Sequence, residues 1–141
     1  MTRFSEDYDS EVAEGAWALW DASVRRAIAG KRGQKVLRDL EIALIEMEPK
    51  RLIGGSLITT DGEKCALGQY AAWRGYDLTV GGDYNDMLHF AKKLGLTRTL
   101  AVEIVWQNDE AGDSWHEEPE RRHKRVLAWV RSMIATREGK A

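Results

Sequence analysis

The sequence predicts an all-α, or nearly all-α, single compact domain of five to six helices, with a minor extended segment or small hairpin near residues 52–60. Three observations lead there. Apolar residues recur at spacings of three and four over most of the chain. Glycine and proline break these stretches at lengths typical of globular helices. Only the segment from about 50 to 64 mixes β-branched residues with turn formers. The chain has 141 residues, 43% hydrophobic and 31% charged, which is the profile of one globular domain. A domain this long buries about two-thirds of the surface its unfolded chain exposes, so neither disulfide nor metal is needed to hold it.

The first helix spans about Ser10 to Ala29, with Val12, Ala16, Leu19, Trp20, Val24, Ala27 and Ile28 as its apolar residues and Ser10 as N-cap. Gly30 and Gly33 flank Lys31-Arg32 and read as a helix end and a short connection. A second helix, about Gln34 to Glu48, carries a core stripe of Leu37, Leu40, Leu44 and Met47, with Val36 and Ala43 beside it. Pro49 stops it, because proline has no N–H and disfavours helix in the residue before it. Asp61-Gly62 is a tight-turn pair inside the extended segment. A third helix runs from Cys65 to near Gly75, and a fourth from about Tyr84, capped by Asp83, to Leu94 before Gly95. A fifth, capped by Thr97, covers about Arg98 to Gln107, and a last begins near Pro119, a residue favoured in the first helical turn. Residues 1–9 and 136–141 read as flexible ends.

Composition excludes several function classes. The 21 basic and 23 acidic side chains leave a net charge of −2, with no electrostatic pull toward nucleic acid or an anionic membrane. No run of 18 apolar residues exists to span a bilayer, and the first residues lack the apolar core of a signal peptide. The lone cysteine, Cys65, rules out an internal disulfide and fits a reducing compartment, so the expected location is the cytoplasm. Six tryptophans, Trp17, Trp20, Trp73, Trp106, Trp115 and Trp129, are expected mainly in the core, though the residue is also enriched at binding hot spots.

The stretch Asp61 to Gly68 is the most distinctive. On a helix starting at Cys65, the small residues Cys65, Gly68, Ala72 and Gly75 share one face and would let another backbone approach closely. There the thiol acts as a small apolar packing group. The catalytic alternative uses Cys65 as nucleophile at a helix N-terminus, with His89 or His116 as base and Asp109 or Asn108 orienting it. No papain or caspase signature surrounds it. Asn108-Asp109, at the end of the fifth helix, has a second expected use. One of the two side chains should reach the free N–H groups at the start of the cysteine helix.

At these places the chain resembles a family of small bacterial and phage proteins of unknown function, which carry a Cys-Ala-Leu-Gly helix start and a downstream Trp-x-Asn-Asp-like step before a C-terminal helix. The matching residues are Cys65-Ala66-Leu67-Gly68 and Trp106 with Asn108-Asp109, within about Leu52 to Val130. Gln107 stands between Trp106 and Asn108, where the family pattern often has the tryptophan directly before Asn-Asp. The resemblance implies no activity; it implies a phage, prophage or mobile-element setting.

Other patterns weigh less. Residues 90–107 resemble a helix-turn-helix, with Arg98, Thr99, Glu103 and Gln107 as a thin reading set for DNA. His116 and His123, two turns apart, are too far from each other for one metal. Gly54-Gly55 and Gly81-Gly82 lack the pattern of a phosphate loop. The expectation is therefore a non-catalytic helical protein with no cofactor and no metal, binding a protein partner or itself through tryptophan-bearing helices. A Cys65-dependent hydrolase or transferase and a DNA-binding regulator stand as alternatives.

Overall fold

The structure, a computed structural model, describes residues 10–78, 84–112 and 116–135. The chain is all-α. Among the described residues, six helices follow in order: α1 Ser10–Ala29, α2 Lys31–Glu46, α3 Ala66–Trp73, α4 Tyr84–Lys93, α5 Arg98–Asp109 and α6 Pro119–Met133. The expected ends 1–9 and 136–141, the Asp83 cap, Gly81-Gly82 and Trp115 lie outside the described residues.

Helix α5 is the axis of the fold. It packs against α1, α3, α4 and α6, and every residue from Leu100 to Val105 is buried. Helix α2 lies on the other side of the core against α1, α3 and α6. Its predicted stripe is the one it buries: Val36, Leu37, Leu40, Ala43, Leu44 and Met47 all face inward. Helices α2 and α6 run antiparallel. Gln34, in the first turn of α2, donates to the Met133 carbonyl at the end of α6, at 3.0 Å. Leu44, near the end of α2, meets His123 near the start of α6 through a 2.7 Å contact between the Leu44 carbonyl and Nε2.

The join between α1 and α2 differs from the sequence expectation. Gly30 alone makes it, and Gly33 is a helical residue of α2. A Cβ at Gly33 would sit 1.8 Å from the Ala27 carbonyl oxygen, so the two helices meet at this point only because the residue has no side chain. Gln34 holds the same corner: its Nε2 donates to Ile28 O at 2.8 Å, and its Oε1 accepts from Ala135 N at 2.8 Å.

After α2 the chain passes a cis Glu48–Pro49 bond and, in place of strands over 52–60, forms a single-bridge hairpin over 58–64. Ile58 pairs with Lys64 in an antiparallel bridge. Gly62, at φ +84°, closes the turn with its N–H on Thr59 O at 2.9 Å. Thr97 caps α5 by accepting from Leu100 N, and Pro119 stands in the first turn of α6, both as read from the sequence.

The tryptophans depart from expectation. None of the five described is among the buried residues; Trp20, Trp106 and Trp129 are half-buried, while Trp17 and Trp73 are 38% and 36% exposed. The core is filled mainly by leucine, valine, isoleucine and alanine, with Met47, Met87, Cys65 and Tyr70 among them.

Candidate functional site

The distinctive residues of the sequence meet where the hairpin, the start of α3, the end of α5 and the start of α6 come together. Cys65 is the N-cap of α3 and is 2% exposed. Its sulfur accepts from Gly68 N at 3.4 Å. Burial pushes the thiol pKa up to about 12, because a thiolate would lose its hydration there. The positive end of α3 does not overcome that cost.

Asn108 makes the cross-helix contact that the orphan N–H groups of α3 call for. Its Oδ1 accepts from Ala66 N at 3.0 Å, and its Nδ2 donates to Ile53 O at 2.8 Å and to Asp109 Oδ1 at 2.7 Å. Asp109 Oδ1 also accepts from Gly55 N at 3.2 Å. A buried amide with both ends satisfied fixes the geometry around it, since each lost bond would strand a partner away from water. Asn108 thus ties the end of α5 to the start of α3 and to the hairpin.

The small-residue face is shorter than expected. At Gly68 a Cβ would stand 2.1 Å from the Leu57 carbonyl oxygen, so this glycine admits the hairpin backbone. Ala72 is only half-buried, and Gly75 is exposed. Gly75, at φ +89°, ends α3 instead: Tyr76 N donates to Ala71 O and Gly75 N to Ala72 O. The ridge ends at Gly68, since Ala72 one turn on is only half-buried and Gly75 lies past the end of α3.

A buried ionic clamp, not singled out from the sequence, braces the other side. Glu117, its side chain 2% exposed, receives Arg125 through two bonds at 2.7 and 2.8 Å and lies 3.3 Å from Arg122. The Arg125 guanidinium beside it holds the Glu117 carboxyl below the usual glutamate range. Arg125 also donates to Gln107 O at 2.5 Å and Asn108 O at 3.1 Å, the last carbonyls of α5. Gly112 lets this happen, since a Cβ there would fall 2.5 Å from Arg125 Nε. Helix ends are therefore satisfied in relay: α6 closes the end of α5, and the end of α5 closes the start of α3. Only an unusual run, Asn-Asp followed by Gly112 and Glu117, hinted at it in sequence.

The geometry does not assemble a catalytic site around Cys65. His89 and His116 are exposed, whereas Cys65 is buried, and the Nε2 of buried His123 is engaged with the Leu44 carbonyl. Trp106 is half-buried in α5, one turn before Asp109. Among the described residues no group of three or more His, Cys, Asp or Glu could hold a metal ion. The helix-turn-helix segment is engaged within the fold. Gly95 turns the chain at φ +84°, Glu103 is 2% exposed, Thr99 faces Ser23 at 3.4 Å and Gln107 donates to Glu103. Only Arg98 of the four reading residues is exposed.

The outer surface carries the other unusual feature. Trp17, Leu19, Ile42, Ile45, Trp73 and Tyr76 are large apolar side chains left exposed, Leu19 at 75%. Ile42 and Ile45 lie one turn apart on the outer side of α2, opposite its buried leucines. Trp73 of α3 donates its indole N–H to Glu46, also on α2, at 3.1 Å. No helix among the described residues is long and apolar enough to cross a membrane. No protein-family model, no curated protein and no solved structure matches this chain.

Proposed function

We propose that the protein is a non-catalytic protein-interaction module, binding a protein partner through its apolar and tryptophan-bearing helix surfaces. The observation that supports this reading is the exposure of six large apolar side chains over a core that is complete without them. Single exposed apolar residues are ordinary, but isoleucines one turn apart beside a tryptophan are the composition of a docking surface. The distinctive polar residues are fully engaged in joining helix ends, which leaves them no free valence for chemistry. A phage or mobile-element setting and a cytoplasmic location belong to the same proposal; the first rests on the family resemblance, the second on the single cysteine.

The test is site-specific photocrosslinking in the source cells, with the photoreactive residue at Leu19, at Ile42, or at exposed Lys31 as control. The reading predicts discrete protein adducts from Leu19 or Ile42 and none from Lys31. Absence of adducts at both apolar positions would end it. Thiol labelling tests the enzyme alternative: Cys65 should label slowly in the native protein at pH 8 and quickly after unfolding. Fast native labelling would restore the hydrolase reading.

A further inference from the structure

The corner between α1 and α2 is a hinge of one torsion. Gly30 is the only residue between the two helices. Its φ of −70° is already helical. Its N–H already donates to the Arg26 carbonyl at 3.1 Å, and its carbonyl already accepts from Gln34 N at 2.9 Å. Only its ψ, at 164°, departs from the helical value of about −42°. Turning that one angle would make Ser10–Glu46 a single continuous helix.

The bend leaves backbone groups that the straight form would pair. No side chain caps the start of α2, so the N–H groups of Lys31, Arg32 and Gly33 have no carbonyl within their own helix. Just before them, α1 ends on the carbonyls of Ala27, Ile28 and Ala29. In a continuous helix the first set would donate to the second, four residues apart. The straight form gives up the Gln34 bond to Ile28 O and takes Gly30 and Gly33 into a helix interior, where glycine is disfavoured. These local gains and losses oppose one another, so the seat of α1 decides.

Straightening alone would strip the core. Val24 and Ile28 of α1 are buried in it, Trp20 and Ala27 pack against it, and Ser23 faces Thr99 of α5 at 3.4 Å. The surface shaped to cover that gap is another α1, and a second copy of this chain presents one. We propose that the protein exchanges α1 between two copies: each opens at Gly30, and its α1 takes the seat on α2 and α5 of the other. Every contact of α1 is kept except those at the corner, which makes exchange a low-cost route to a dimer. The exchange uses the inner side of α1 and does not rest on the exposed apolar residues that support the interaction reading.

The experiment is light scattering of the full-length protein across a concentration series. Wild type should show a dimer that grows with concentration. Gly30→Ala suits both forms, since a Cβ there stands 3.5 Å from Arg26 O. It should raise the dimerisation constant about 25-fold, about fivefold for each chain's glycine removed from a helix. Lys31→Pro fits the bent form, in the first turn of α2, and is barred from the straight one. That variant should stay monomeric throughout and keep its helical circular dichroism. Oxidised Ser23→Cys with Thr99→Cys should link the two chains of the dimer on a non-reducing gel and leave the monomer single. Monomers at every concentration in both wild type and Gly30→Ala would overturn the proposal. So would a dimer that survives Lys31→Pro, or one in which the engineered bridge closes within a single chain; either would assign dimerisation to an outer face instead.

Discussion

The junction around Asn108 and the outer face of α2 invert the usual distribution of polarity. The junction buries an amide, a carboxylate and the Arg122 guanidinium and half-buries that of Arg125; the outer face exposes two isoleucines beside a tryptophan. Asn108, Glu117 and Arg125 bond across the four chain segments that meet there. Nothing on the described chain covers the isoleucines outside. The contrast teaches that conspicuous residue types locate architecture here, whereas plain aliphatic ones are what the outer face leaves exposed.

Substitutions can break that comparison, beginning with the clamp. Glu117→Gln should cost about 4 kcal/mol in chemical denaturation, because two guanidinium groups lose their buried counter-ion. The clamp also sets a pH dependence. Glu117 titrates lower in the folded state than unfolded, so its contribution is complete above the unfolded value near pH 4.3 and fades as pH falls through the lower folded value. Acid unfolding of the wild type should therefore be steeper below pH 4 than that of Glu117→Gln; matching profiles would show the clamp to be inert.

Gly68→Ala should cost about 3 kcal/mol, since its methyl would meet the Leu57 carbonyl and push the hairpin off α3. A thermal melt unchanged from wild type would mean that the backbones can separate freely. Asn108→Ala should cost about 2 kcal/mol by stranding Ala66 N and Ile53 O. Hydrogen exchange sharpens this: the Ala66 amide should lose protection before the centre of α5 does. Cys65→Ala should cost about 1 kcal/mol, the scale of a lost N-cap contact, with no change in partner binding. The smallest effect belongs to the other region: Ile42→Ser should change stability by less than about 0.5 kcal/mol. A large loss there would mean that the outer face is structural, and the contrast between the two regions would collapse.

Legibility in the sequence followed the range of the interactions. The bounds of helix α1 and the buried stripe of α2 were readable, because periodicity reports helices and their inward faces. Leu19, read as part of the apolar face of α1, is 75% exposed, while Val24 and Ile28 of that face are buried. The hairpin and the Thr97 cap were readable because their hydrogen bonds close within a few residues. Gly33 was misread as a connection, since the carbonyl that excludes a side chain belongs to another helix. The Glu117 clamp was not legible: glutamate and arginine in a charged run look solvated until another chain segment covers them.

The sequence by itself determined the all-α class, the helix order and the inward face of α2, because these follow from local backbone preference and apolar spacing. Tertiary structure alone decided that Asn108 supplies the bond to Ala66, that the Cys65 thiol is sealed and that none of the described tryptophans is fully buried. Those outcomes depend on which surfaces meet across dozens of intervening residues, and solvation of a side chain is a property of its neighbours in space.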